Sequence, residues 1–141
     1  VKRLTAFRVG AWAWIATGTG HLVLDALMEL RTETPEIARA TAAMREYRLA
    51  FGGIERGMDE ISQGMSLAMG VALVFSGLLL LRMARLAPAL VNRSLCALAL
   101  GMSAVVLAVS VWLLPTPPIA LFTVATVAFG VAWSRAPRPS S

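Results

Sequence analysis

The stretch FGGIERGMDEISQGMSLAMG, residues 51–70, decides how this chain is read. It carries Glu55, Arg56, Asp59, Glu60 and Gln63, then continues without a break into apolar sequence that ends near Leu81. Charged groups so close to hydrocarbon are expensive, so a membrane protein keeps them inside its helical assembly, paired, and usually for a purpose. The stretch therefore reads as the entry to a spanning helix and as the first place to look for chemistry.

Working outward, apolar runs of this kind recur. Of 141 residues, 57 % are hydrophobic and 15 % charged, and the mean hydropathy is +0.71, which excludes an ordinary soluble domain. A spanning helix needs about 20 apolar residues. Four runs approach that length, at about residues 7–30, 58–81, 88–114 and 118–133. No strand-period alternation appears. The expected fold is all-α: a polytopic four-transmembrane-helix bundle over residues 1–134, with a disordered cytoplasmic tail at 135–141. Lys2, Arg3 and Arg8 resemble the start of a signal peptide. The run after them is too long, is interrupted by His21, and leads into Asp25 without a small-residue cleavage site, so it is kept as a helix.

Charge placement gives an orientation. Lys2, Arg3, Arg8, Arg82, Arg85, Arg93, Arg135 and Arg138 have no acidic neighbours, whereas all eight carboxylates fall between Asp25 and Glu60. Basic loops stay cytoplasmic, which puts both termini of a four-span, multi-pass protein inside the cell, in the plasma (inner) membrane. The net charge of +5 sits at the ends of apolar runs, so no nucleic-acid partner follows from it. Cys96, the single cysteine, lies in an apolar run and reads as a small packing residue.

Between spans one and two, Thr34-Pro35-Glu36 has the form of a helix start: a cap, a proline in the first turn and an acid beside it. Ile37, Ala40, Met44, Tyr47, Phe51, Ile54, Met58 and Ile61 then recur in steps of three and four. That spacing predicts one amphipathic outer helix feeding into span two, bent near Gly52-Gly53 and lying over the mouth of the bundle.

Two polar stripes carry the candidate site. Thr17, His21, Asp25 and Glu29 are four apart, and Arg56, Asp59, Gln63 and Ser66 step by three and four, so each set lies along one helix face. Antiparallel neighbours would set Asp25 and Glu29 against Arg56, with His21 level with Asp59 or Gln63. One reading is a structural polar zipper. The other is a pocket where carboxylates and an imidazole act on a bound molecule, since burial and a nearby arginine drive neighbouring acids toward different proton affinities. Eight acids near one Arg56 leave carboxylates unpaired, which favours the pocket.

His21 and Asp25 at i, i+4 have chelating spacing, but the Glu-x-x-His pair on each of two helices that di-iron proteins use is absent. Neither a metal nor a cofactor is expected. There is no phosphate-binding glycine loop and no Ser/His/Asp set. Small residues at helical spacing in the last two spans (Ala97, Gly101, Ala104, Ala108; Thr126, Gly130) mark packing surfaces toward the bundle, a second copy, or a partner membrane subunit.

Gly20-His21, Met44-Arg45-Glu46, Arg56-Gly57-Met58-Asp59 and the run from Gln63 to Gly70 together resemble a family of small uncharacterised four-helix bacterial integral membrane proteins. In that family a Gly-His pair precedes an aromatic-Asp-x-x-x-Gly-x-x-Leu segment. Here Met58 stands in the aromatic's place. The resemblance implies His21 and Asp59 as site residues and no particular activity. The chain is also similar in size to small multidrug exporters, which carry a glutamate in their first span, but lacks their other signatures.

The resulting expectation is an outward-facing intramembrane pocket that binds a small lipophilic or amphiphilic molecule. It would perform acid/base chemistry there without a cofactor, of the isomerase, cyclase or hydratase type. Asp59 and Asp25 form the carboxylate pair, His21 carries the proton and Arg56 anchors charge, with Glu29, Glu55, Glu60 and Gln63 as further binding residues. The alternatives are a non-catalytic accessory subunit docking through spans three and four, and a proton-coupled exporter.

Overall fold

In the computed structural model, which describes residues 2–137, helix α1 (Lys2–Glu29) takes the central position. It packs against α3 (Met58–Leu86) on one side and α5 (Thr116–Ser134) on the other, and α4 (Arg93–Leu113) lies against α5. A shorter helix, α2 (Pro35–Glu46), and a hairpin of β1 (Arg48–Phe51) and β2 (Ile54–Gly57) link α1 to α3. The helical class expected from the sequence holds, with this small hairpin added.

The count of spans does not. Three helices, α3, α4 and α5, are long and apolar enough to cross a membrane, not four. Protein covers only 11 % of the apolar window of α3, 22 % of that in α4 and 28 % of that in α5, so most of their apolar surface is exposed. The first run falls short because His21 and Asp25 interrupt α1 and its glycines, threonines and tryptophans dilute the rest of the apolar stretch. A charged side chain at mid-bilayer costs about 2.5–3.5 kcal/mol on insertion scales. The buried residues of α1 run only from Phe7 to Gly18, so His21, Asp25 and Glu29 stand beyond its protein-covered half.

The core sits around the N-terminal half of α1. The rings of Phe7 and Phe129 meet edge-on at 5.2 Å, and those of Trp14 and Phe122 at 6.1 Å. The buried Trp14 indole donates to Ser103 Oγ at 2.9 Å, tying α1 to α4. Glycines set the depth of α1 against α3. A Cβ on Gly77 would fall 2.8 Å from the Ala11 carbonyl oxygen, and one on Gly18 would fall 2.7 Å from that of Gly70. Backbones this close lock the register, because any side chain at these positions would push the helices apart.

The expected single outer helix is also corrected. Thr34 does cap a helix, its hydroxyl accepting the Ile37 N–H, and Pro35 does open it, but the helix stops at Glu46. Gly52 and Gly53 have φ of +59° and +83°, the pair of positive angles that a two-residue hairpin turn requires. Ala50 pairs with Glu55 and Arg48 with Gly57, so the glycines reverse the chain instead of bending a helix.

Two boundaries move as well. Pro88 starts a separate 3-10 turn (Pro88–Leu90), while α4 begins at Arg93 under the Asn92 side chain, which accepts the Leu95 N–H. Pro117 and Pro118 lie inside the first turn of α5, where backbone donors have no partner to lose. Beyond α5, Ala136 is buried and its N–H donates to the Trp133 carbonyl. The rest of the expected disordered tail, 138–141, lies outside the described residues.

Candidate functional site

The two polar stripes do come together, one turn out of the expected step. The glycine-set register places His21 beside Ser66 and Gly70. His21 Nε2 lies 2.8 Å from Ser66 Oγ, and Ser66 donates its hydroxyl proton to Asp25 Oδ2 at 2.7 Å. A hydroxyl has one proton to give, and Asp25 takes it, so Nε2 of His21 must be the donor in the other bond. His21 and Asp25 also approach each other directly at 3.7 Å across one helical turn. Further along, Gln63 donates from its amide nitrogen to Glu29 Oε1.

Asp59 is not the partner of Asp25. It sits in the first turn of α3, where a carboxylate is favoured by the helix dipole, and accepts from Arg45 Nε at 3.1 Å. Its Oδ1 is buried with no hydrogen-bond partner among the described residues. That oxygen is packed against the backbone of Gly57, where a Cβ would collide with it. Ser66 lies seven residues beyond Asp59, about 10 Å along the helix axis, which separates the two carboxylates.

Arg56 does not anchor Asp25 or Glu29. It lies in β2 and pairs with Glu60 at 3.6 Å, both side chains exposed. Glu60 also reaches back to accept the Gly57 N–H at 3.0 Å, closing the start of α3. Glu55 pairs across the hairpin with Arg48 at 3.6 Å. These three residues stabilise the hairpin and its junction with α3.

The remaining stripe residues border an open cleft of about 600 Å³ between the end of α1, α2 and the first half of α3. Asp25, Met28 and Glu29 come from α1, Ile37, Thr41, Met44 and Arg45 from α2, and Asp59, Ser62, Gln63 and Ser66 from α3, with Arg31, Thr32 and Glu33 at the rim. Pro35 opens α2 so that its apolar face lies over this space. The Arg45–Asp59 pair and the Met58 N–H to Tyr47 carbonyl bond (3.0 Å) hold that roof to α3.

The cleft is not enclosed among the spans. Trp14 meets Phe122, which sets Thr116 at the head of α5 level with about residue 20 of α1. Asp25 to Glu29 therefore stand about 10 Å beyond the α4–α5 turn, at 1.5 Å per residue. The charged groups thus project past the shorter helix pair, which is why so many are tolerated beside apolar segments.

Ser66 and Arg45 were not among the sequence candidates. Ser66 already stood on the stripe of Arg56, Asp59 and Gln63, and that periodicity was its signal. Arg45 had none, because its pairing with Asp59 exists only after the hairpin folds. Among the described residues, no group of three or more His, Cys, Asp or Glu side chains is arranged to hold a metal ion.

Fold and site together define an α-helical protein with three membrane-crossing candidates and a carboxylate-lined cleft at one end. No protein-family model, no curated protein and no solved structure matches the chain.

Proposed function

We propose that this protein binds a small amphiphilic molecule in the cleft between α1, α2 and α3 and carries out acid/base chemistry on it. The observation that carries this reading is the chain His21–Ser66–Asp25, bonded at 2.8 and 2.7 Å, with Asp25 and Ser66 on the cleft wall. Asp25 exchanges a proton with the bound molecule, while Ser66 donates to its Oδ2 and the Nε2–H of His21 holds the Ser66 hydroxyl in that direction. Met28, Ile37 and Met44 take the apolar part of the ligand, and Glu29 with Gln63 borders the entrance. Arg45 and Asp59 keep α2 in place as the roof. Glu55, Arg56 and Glu60 have no part in binding.

We further infer that the end bearing Lys2, Arg3, Arg82, Arg85, Arg93 and Arg135 faces the cytoplasm of a bacterial plasma membrane, so that the cleft opens outward. The supporting observation is that no carboxylate accompanies these cations.

The test is mass spectrometry of small molecules that co-purify with the protein from its native membranes, followed by incubation in deuterated water. The wild type should carry a ligand and exchange its acidic C–H positions. Asp25→Asn and Ser66→Ala should keep the wild-type circular dichroism and lose exchange by about a hundredfold or more. Variants that keep full exchange would remove the proposed role.

A further inference from the structure

Three cations meet at the end of the molecule opposite the cleft. Lys2 and Arg3 open α1 and Arg135 follows α5, and the antiparallel packing of those helices sets them around a hollow of about 470 Å³, with Leu4 and Pro137. All eight carboxylates lie between Asp25 and Glu60, so no acidic side chain shares this end. Neighbouring cations are engaged elsewhere: Arg8 donates to the Ala84 carbonyl at 3.4 Å, and Arg93 stacks 4.3 Å over the Trp133 ring. Lys2, Arg3 and Arg135 make no ion pair among the described residues. Three like charges around one hollow repel each other, and a bound anion would relieve that repulsion.

The height of the hollow says which anion. Arg135 is the residue after the end of α5, a helix apolar and long enough to cross a membrane, so it stands at the depth of lipid headgroups. Leu4 supplies an apolar wall below the charges. The volume exceeds what an inorganic phosphate fills, leaving space for a glycerol-sized group. Arginine forks match two phosphate oxygens at once, and a lysine adds a mobile point charge. Basic pockets at the ends of membrane helices bind anionic lipid headgroups by this chemistry.

We propose that Lys2, Arg3 and Arg135 form a binding site for the phosphodiester headgroup of an anionic glycerophospholipid. The site is independent of the cleft and of the reaction proposed there.

The test is native mass spectrometry of the intact protein, released from detergent micelles titrated with phosphatidylglycerol, phosphatidylcholine or inorganic phosphate. Phosphatidylglycerol should bind at least tenfold more tightly than phosphatidylcholine, a comparison that needs no variant. Replacing Lys2, Arg3 and Arg135 together by Gln should weaken phosphatidylglycerol about a hundredfold, at about fivefold per cation. Arg82→Gln with Arg85→Gln, which strips charge from the same end outside the hollow, should cost less than Lys2→Gln with Arg3→Gln. Equal affinity for the two lipids, an unaffected triple variant, or an equal loss in both double variants would overturn the site. Inorganic phosphate binding as tightly as phosphatidylglycerol would overturn the lipid assignment and leave a free-anion site.

Discussion

Nε2 of His21 and Oδ2 of Asp25 stand 3.7 Å apart on one face of α1, with the Ser66 hydroxyl of α3 bonded to both. Because Ser66 spends its proton on Asp25, the imidazole must present Nε2–H to it. Nitrogen-15 spectra of the histidine ring should therefore show neutral His21 in the Nε2–H tautomer. In Ser66→Ala the preference should fall to a mixture, with a stability loss of about 1 kcal/mol for the lost bonds. A wild-type ring protonated at Nδ1 alone would contradict the bonding described.

The pair Arg45–Asp59 holds α2 over the cleft but is weak in itself, since the Arg45 side chain is 68 % exposed. A double-mutant cycle of Arg45→Gln and Asp59→Asn should give a coupling of about 0.5 kcal/mol, which falls as salt is raised. Asp59→Asn alone should cost more than Arg45→Gln alone, because Asp59 also meets the positive end of α3. Denaturation in mixed micelles would read both differences.

Glycine-to-alanine changes should separate by sign. At Gly77 the new methyl would lie 2.6 Å from Ile15 Cγ1 and 2.8 Å from the Ala11 carbonyl oxygen, so Gly77→Ala should destabilise by about 1–3 kcal/mol. At Gly20 and Gly64 nothing lies within 4 Å, and the helix gains propensity. Gly20→Ala and Gly64→Ala should therefore be neutral or stabilise by up to about 1 kcal/mol. Thermal unfolding in detergent distinguishes the two groups.

The Trp14–Ser103 bond is buried, so removing one partner is worse than removing both. Ser103→Ala should cost about 1–3 kcal/mol by stranding the indole N–H. Adding Trp14→Phe should then cost less in the Ser103→Ala background than in the wild type. Additive losses would show that the bond contributes nothing beyond packing.

How much of this was readable beforehand depends on the distance over which each feature is decided. The helix of α2 was visible in Thr34 and Pro35, since capping is settled within one turn. Its end was misjudged, because Tyr47 to Phe51 fit both a helical face and a strand, and only pairing with Ile54 to Gly57 separates the two. The His21–Asp25–Glu29 stripe was correct as a stripe. Its opposite number was one turn off because Gly18, Gly70 and Gly77 set the register through backbone contacts that carry no label in the sequence.

By itself, the amino-acid order determined the helical class, the apolar segments, the separation of basic from acidic ends, and the spacing of His21, Asp25 and Glu29 along one helix face. These follow from composition and from periodicity along a single helix. Tertiary structure decided that Asp59 answers to Arg45 and Asp25 to Ser66, and that the cleft stands beyond the α4–α5 turn. Each of those depends on which backbones approach closely, and such contacts join residues far apart in the chain.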